Sequence, residues 1–394
     1  MGSGPPAGPP RPVRLRVRLL AAALTWLALE LLALGVGHGL RGSGLFYAPR
    51  VEPGAFEAYL ERRDPVLGWP APASLGRDGT DAAGARIDPG FAPGAKPCVA
   101  LYGDSQTRGD EVGAEEAWGS VLARRLGCRV ANYGVGGYGS DQALLRYLER
   151  DDGRAAHVVL GHWSENVLRN VNQYRELLYP APFGLKPRFV LEADGALRHV
   201  PIPSPDAAGL ARLLSDPAAV LSHEFFLPGT AWGPTPLCFP WSVAVGRATG
   251  HFRVRAWLAG HPAYARFYDP DHPSGALPLT AAILERFRDE AQRRGQRATP
   301  LLIPTGLDLV DRVRHRRWSY RPLADRLADR GVELLDAGPA ILERLPGRDP
   351  CALFDDCSAH FNADGNALLA GIVFDHLCGS MPGTAPPPFP GCRE

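Results

Sequence analysis

The chain has 394 residues, of which 45% are hydrophobic and 22% are charged, and this composition is typical of a globular protein with a sizeable core. Its 43 basic and 42 acidic residues leave a formal net charge of +1. A charge so near zero provides no field that would attract polyanions, so nucleic acid is not the expected partner.

Seven cysteines occur, but neither a CxxC pair nor the Cys/His spacing of a zinc site is present, so no metal and no cofactor are predicted. Cys98 and Cys128 lie in apolar runs and are predicted to be buried thiols. The odd total leaves at least one thiol free. Two pairs are close enough in sequence to close loops in an oxidising compartment: Cys351 with Cys357, and Cys378 with Cys392.

The N-terminus is predicted to form a signal-anchor. Four arginines within residues 11–18 precede the apolar run Leu19–Gly37, whose one acidic residue is Glu30. Nineteen helical residues reach about 28 Å, which approaches the thickness of a hydrocarbon core. The basic flank predicts a cytoplasmic N-terminus, with the rest of the chain across the membrane. A cleaved signal peptide or a buried amphipathic helix are the alternatives.

Shifts in composition divide the chain into predicted segments. They are a cytoplasmic basic tail (1–18), a transmembrane anchor (19–38), a stalk or linker (39–95), an α/β domain (96–378) with a variable insertion (170–295), and a proline-rich tail (379–394). An apolar cluster at Pro65–Pro70 indicates that the stalk packs partly on the domain.

Apolar runs inside the domain alternate with segments of helical periodicity. Five runs predict strands: Cys98–Tyr102, Arg129–Asn132, His157–Gly161, Leu301–Pro304 and Val332–Leu335. Four segments predict helices: Ala117–Leu126, Asp141–Glu149, Tyr320–Arg330 and a last one through Leu368–Leu377. This alternation predicts an α/β fold with a parallel sheet of about five strands, covered on both faces. Ligands of such sheets bind at the carboxyl ends of the strands.

Two candidate motifs follow the first two predicted strands. Gly103-Asp104-Ser105 places a serine at the sheet edge with free backbone N–H groups beside it, although a plain turn would use the same residues. Asn132 begins a run with four glycines, which indicates a tight turn or a close approach to a ligand, or helix packing alone.

Two more candidates follow in the chain. Asn166 comes after the third strand and could donate a hydrogen bond to an oxyanion, or simply cap a helix. His360 stands just before the last helix with acids nearby, where a histidine can act as a base. His162, beside the third strand, is either structural or part of the pocket lining.

In chain order these four segments resemble the SGNH (GDSL-like) hydrolase superfamily, here in a membrane-anchored form that the stretch 63–69 also resembles. The resemblance implies a flavodoxin-like, three-layer α/β/α sandwich over residues 97–377. It implies Ser105 as nucleophile, His360 as base, and an oxyanion hole made by the N–H groups of Ser105 and Gly137 and the side chain of Asn166. The supporting residues would be Asp104 and Asn132, with Asn132 bracing the second loop.

The sequence departs from the family pattern in two places. The family's acid stands three residues before the histidine, and Cys357 occupies that position. Asp356 is therefore the predicted orienting acid, with Asp355 or a backbone carbonyl as alternatives. The third block lacks the family's acid after Asn166, since Val167 stands there.

The predicted function is a serine esterase that hydrolyses a carboxylic ester through an acyl-enzyme, with an acylated carbohydrate or another small ester as partner. A location beyond the membrane suggests deacetylation of a cell-surface or exported glycan. The alternatives are an O-acyltransferase that uses the same site, or a catalytically inactive glycan-binding or assembly protein.

Overall fold

The computed structural model describes residues 11–49, 54–179, 184–379 and 389–393. The strands in these ranges are β1 Phe46–Tyr47, β2 Val99–Tyr102, β3 Val130–Asn132, β4 His157–Trp163, β5 Arg188–Leu191, β6 Leu197–Val200, β7 Thr235–Pro236, β8 Arg297–Ile303 and β9 Leu335–Asp336. The helices are α1 Arg11–Gly39, α2 Ala55–Arg62, α3 Ser105–Arg108, α4 Trp118–Leu126, α5 Ser140–Arg150, α6 Asn166–Arg169, α7 Ala207–Ser215, α8 Trp241–Ala248, α9 Phe252–Leu258, α10 Ala276–Arg293, α11 Gly306–His315, α12 Arg321–Asp329, α13 Ala337–Glu343 and α14 Ala363–Gly379.

The central sheet is parallel and its five strands lie in the order β3-β2-β4-β8-β9. Val99 lies opposite Val130 on one side and His157 on the other. The predicted α/β class with a parallel sheet is confirmed. β4 and β8 are longer than predicted because they pair along seven residues, which extends β4 to Trp163. β9 is shorter than predicted and begins only at Leu335.

Two hydrophobic clusters lie on opposite faces of this sheet, because successive side chains of a strand point to opposite sides. Ala100 and Tyr102 belong to the cluster that includes residues of α5 and α10. Val99 and Leu101 belong to the cluster that includes residues of α4 and α14. All four side chains are almost fully buried, so β2 lies in the interior.

The connection from β4 to β8 contains the predicted variable insertion, 170–295. It includes the antiparallel hairpin of β5 and β6, the short helices α7 to α9, and the long helix α10. α10 packs against β8 and α5, so this end of the insertion covers the sheet.

The predicted stalk packs on the domain at the loop that follows β3. Leu67 and Trp69 are buried. Trp69 Nε1 donates to the Gly136 carbonyl at 2.9 Å, and the Tyr138 hydroxyl donates to the Trp69 carbonyl at 2.5 Å. Gln142 of α5 donates to the Leu67 carbonyl at 2.8 Å. These bonds fix the loop between β3 and α5 from outside the domain.

Within the described residues, one helix is long and apolar enough to cross a membrane, namely the part of α1 from Leu15 to Gly39. Only about a tenth of its most apolar stretch is buried against the rest of the chain. Its length and composition agree with the predicted anchor.

Three disulfides are formed, and they correct one prediction. Cys98 and Cys128 are not thiols but are bonded to each other, because they precede the adjacent strands β2 and β3 and their Cα atoms lie 6.1 Å apart. Cys238 is free and exposed. The other two bonds join the pairs that lie close in sequence, Cys351 with Cys357 and Cys378 with Cys392.

Candidate active site

Ser105 is the first residue of α3, directly beyond the carboxyl end of β2. Asp104 caps this helix, since its Oδ1 accepts the N–H groups of Gln106 at 3.0 Å and Thr107 at 3.3 Å. The Ser105 N–H comes before the intrahelical bonds begin, and it donates to no group in the described part of the chain. The cap therefore presents both the Ser105 hydroxyl and its N–H at the sheet edge.

His360 lies beside Ser105, brought there by the loop before α14. Its Nε2 is 2.7 Å from Ser105 Oγ, and its Nδ1 is 3.0 Å from Glu111 Oε1. A carboxylate on Nδ1 holds the proton there, which leaves Nε2 to accept the Ser105 proton. A hydroxyl, an imidazole and a carboxylate thus lie in one line of hydrogen-bond contacts, an arrangement that can serve as nucleophile, base and acid.

The structure does not bring Asp356, the acid predicted from sequence, to the His360 imidazole. Its carboxylate instead accepts the N–H of Ser358 at 2.9 Å and the Ser358 hydroxyl at 2.5 Å. Cys357, at the family's acid position, is held in a disulfide. The carboxylate in contact with His360 Nδ1 is that of Glu111, which lies six residues after Ser105. Glu111 was not predicted from the sequence, because no motif or spacing connects it with a histidine so distant in the chain.

Arg86, from the predicted stalk, holds the loop that carries Glu111. Its guanidinium donates to the Arg108 carbonyl at 2.7 Å, to the Val112 carbonyl at 2.6 Å, and to the Gly109 carbonyl. Three bonds from one planar group fix the loop on both sides of Glu111.

The loop after β3 lies against α3, the helix that begins at Ser105. Asn132 Nδ2 donates to the Thr107 carbonyl at 2.8 Å, and its Oδ1 accepts the Gly134 N–H at 3.0 Å, so Asn132 joins the two loops. A Cβ at Gly134 would stand 2.5 Å from the Arg108 nitrogen, so only glycine allows this approach. Gly137 has φ +79°, and its N–H donates to no group in the described ranges.

Asn166 is the first residue of α6, just past the carboxyl end of β4, and it is fully buried. Neither its Nδ2 nor its Oδ1 forms a hydrogen bond of good geometry within the described residues. Its amide does lie close enough to the Asp104 carboxyl to oppose part of the rise that burial causes in the pKa of that group. A buried amide without a full partner is rare in a folded protein and indicates a place for a ligand or water.

Charge balance at the site depends on Arg169. Burial raises the pKa of Asp104, and the nearby Arg169 guanidinium opposes that rise. The Arg169 guanidinium lies 3.4 Å from Asp104 Oδ2 and 3.1 Å from Glu165 Oε2, and it donates to the Tyr138 carbonyl at 2.9 Å. It therefore connects the nucleophile loop, the loop after β3 and α6.

Trp163, the last residue of β4, stacks on the His360 ring with centroids 5.6 Å apart and planes 24° apart. Its Nε1 is buried and has no hydrogen-bond partner in the described chain. The indole therefore covers one face of the imidazole.

One cluster elsewhere has the composition of a metal site. His261, Asp311 and His315 have ligand atoms within 4.8 Å of one another. Both imidazoles lie 2.8 Å from Asp311 Oδ1, and Arg317 Nε lies 3.2 Å from Oδ2. Burial raises the pKa of Asp311, but bonds from the two histidines and the Arg317 charge bring it below its ordinary value. These partners already satisfy the carboxylate, and we assign no metal to it.

No family model matches this sequence, and no curated protein matches it. Similar solved structures include a member of the lipolytic protein G-D-S-L family from Veillonella parvula, at 13% identity and TM-score 0.34, over 70% of this chain and 96% of that one. An alpha/beta hydrolase enzyme from the metagenome of Lake Arreo, Spain, has 16% identity and TM-score 0.37, over 72% and 94%. A protein from Lactobacillus plantarum has 14% identity and TM-score 0.35, over 72% and 98%. Similarities with identities and TM-scores this low do not establish a family for this chain.

Proposed function

We propose that this protein is a serine esterase of the SGNH type, with the three-layer α/β/α sandwich of that superfamily. The observation that carries the proposal is the chain of contacts from Ser105 Oγ to His360 Nε2 and from His360 Nδ1 to Glu111. These three polar side chains come from two connections at one sheet edge, Ser105 and Glu111 from the one between β2 and α4 and His360 from the one before α14. Packing alone does not require a hydroxyl, an imidazole and a carboxylate to lie in contact at this edge.

In the proposed reaction, His360 Nε2 takes the proton as Ser105 Oγ attacks the ester carbonyl. The Ser105 and Gly137 N–H groups and the Asn166 amide stabilise the oxyanion, each contributing about 3 kcal/mol in the transition state. His360 then gives the proton to the leaving alcohol, and water releases the acyl group by the reverse steps. Glu111 holds the imidazole in the reactive tautomer and stabilises its charged form.

The proposed substrate is an acylated carbohydrate, and the proposed site of action is the far side of the membrane that α1 spans. Three disulfides support an oxidising compartment for the domain. Deacetylation of a cell-surface or exported glycan fits that placement.

The test uses the full chain in detergent, with p-nitrophenyl acetate as substrate and a fluorophosphonate as a covalent serine probe. We expect hydrolysis and labelling by the wild type, and loss of both in Ser105→Ala. Labelling of Ser105 without hydrolysis would favour acyl transfer to a sugar hydroxyl. Absence of both in the folded wild type would reject the esterase and favour a binding protein.

A further inference from the structure

The segment that follows β7 runs beside α1, away from the active site. From Leu237 to Gly246 it contains no charged residue, and Arg247 is the first charge after it. Its second half is the start of α8, which packs against α1. An apolar stretch of about ten residues is too short to span a bilayer but is suited to a re-entrant segment.

Three contacts order this segment along α1. Leu237 lies on Gly37, where an added Cβ would collide with its side chain, so glycine permits the approach. The Phe239 ring meets the Trp26 ring edge-on, with centroids 5.7 Å apart. The Ser242 hydroxyl and N–H both donate to the Glu30 carboxylate, the N–H at 3.2 Å.

Along the axis of α1, successive contacts of the segment are made with Gly37, then Trp26, then Glu30, so the segment forms a hairpin beside α1. From Gly37 to Trp26 is eleven residues, or about 16 Å along a helix axis, and from Trp26 back to Glu30 is about 6 Å. The turn of the hairpin is thus at Phe239. If the span ends near His38, Glu30 lies about 12 Å below the far membrane surface, and its bonds hold Ser242 near that depth.

The Glu30 carboxylate is paired at that depth, whereas two large apolar side chains of the hairpin are exposed. Glu30 is 1% exposed, and its carboxylate accepts bonds from the Ser242 hydroxyl and from the Ser242 N–H at the start of α8. An acid within a span is expensive unless it has such partners, and the first N–H groups of α8 need an acceptor for the same reason. Phe239 is 55% exposed and Val243 46% exposed, as is α1 itself over most of its surface.

We propose that residues 237–246 form a re-entrant hairpin inside the bilayer, covered by lipid acyl chains and secured to α1 by the bond between Glu30 and Ser242. The proposal rests on the proposed membrane span of α1. It adds a second point of membrane attachment, so that the domain is held to the bilayer in one orientation rather than swinging on a single helix.

Cys238 provides a native probe for the test, because it is exposed and the other six cysteines are in disulfides. The full chain is reconstituted in phosphatidylcholine vesicles and labelled at Cys238 with an environment-sensitive fluorophore. Quenching is then measured with lipid spin-labelled in the acyl chain and with aqueous iodide. Two references in a Cys238→Ala background carry the label at Leu27→Cys in α1 and at Ala193→Cys in the exposed hairpin of β5 and β6.

We expect the labels at Cys238 and Leu27 to lose fluorescence to the spin-labelled lipid and to resist iodide, while Ala193 shows the reverse. If Leu27 is quenched by lipid but Cys238 by iodide, the hairpin lies outside the membrane and the proposal is wrong, although the anchor stands. If iodide quenches both, the anchor itself is wrong and the proposal fails with it.

Discussion

His162 and His360 show how one residue type serves two purposes in this fold. His162 lies inside β4 and is fully buried, with Nδ1 2.7 Å from Ser140 Oγ and Nε2 2.9 Å from the Tyr268 hydroxyl. Burial lowers the pKa of His162 to about 3, so it stays neutral and cannot shuttle protons near pH 7. His360 lies on a loop, partly open to solvent, between a serine and a carboxylate.

The buried carboxylate of Asp308 and the sheet edge at Ser105 differ in the same way. Asp308 is fully buried, and it accepts bonds from the Tyr264 hydroxyl at 2.7 Å, from the Thr305 N–H at 3.1 Å, and from the hydroxyls of Ser164 and Ser319. Each of these hydroxyl and N–H groups donates to the Asp308 carboxylate. At the sheet edge that carries Ser105, by contrast, the buried Trp163 Nε1 and Asn166 Nδ2 have no full hydrogen-bond partner among the described residues. Satisfied networks stabilise one structure, whereas unpaired donors are available to a ligand.

The largest expected effect separates the two histidines. His360→Ala should lower kcat/KM for p-nitrophenyl acetate by about 10³- to 10⁴-fold, because the serine loses its base, while the melting temperature changes little. His162→Gln should lower the melting temperature and leave the activity of the folded fraction nearly unchanged. Equal activity losses in the two folded variants would contradict the distinction.

The next effect compares two buried asparagines. Asn166→Ala should lower kcat by about 10²-fold or more without a large loss of stability, because it removes an oxyanion donor that has no full partner in the free protein. Asn170 differs, since it donates to Thr280 Oγ1 at 2.9 Å and accepts the Asp141 N–H at 3.2 Å. Asn170→Ala should therefore destabilise the fold. Thermal unfolding and steady-state kinetics on both variants decide, and a stable, fully active Asn166→Ala would remove Asn166 from the hole.

A smaller effect compares two acids. Glu111→Gln should lower kcat by on the order of 10²-fold. We expect an effect at the low end of the range for acid–base groups because the Glu111 side chain is half-exposed. Asp356→Asn is the matched control, and it should keep wild-type activity because its carboxylate serves Ser358. The opposite ranking in steady-state assays would restore Asp356 as the orienting acid.

These comparisons also show what the sequence could and could not predict. Strands such as Val99–Tyr102 were predictable because a buried parallel strand is a continuous apolar run. The serine and His360 were predictable because each follows a recognisable local pattern. Glu111 was not, because its partner is 249 residues away and only the folded chain brings the two together.

The roles of the segment before the domain were predictable only in part, since the cluster Pro65–Pro70 predicted packing on the domain but not the loops that the segment contacts. Arg86 and Trp69 stand in a stretch rich in glycine and proline, where composition indicates a linker. The contacts of Trp69 with the loop after β3, and of Arg86 with the loop of Glu111, depend on tertiary packing. The disulfide of Cys98 and Cys128 was missed for a similar reason, since it depends on β2 and β3 being neighbours.

The smallest effect is a difference in acid sensitivity that arises from His162. Its pKa rises from about 3 in the folded chain to an ordinary value near 6.5 on unfolding, so between these values the unfolded chain binds the extra proton. His162 therefore makes stability fall as the pH drops from 6.5 toward 3, by up to about 1.4 kcal/mol per pH unit. His162→Gln should lack this contribution, so its free energy of unfolding in urea should depend less on pH across pH 6.5 to 4. Tyr268→Phe keeps the imidazole, and it should lower stability while retaining a wild-type slope. Identical slopes for the glutamine variant and the wild type would show that His162 is not held neutral by burial.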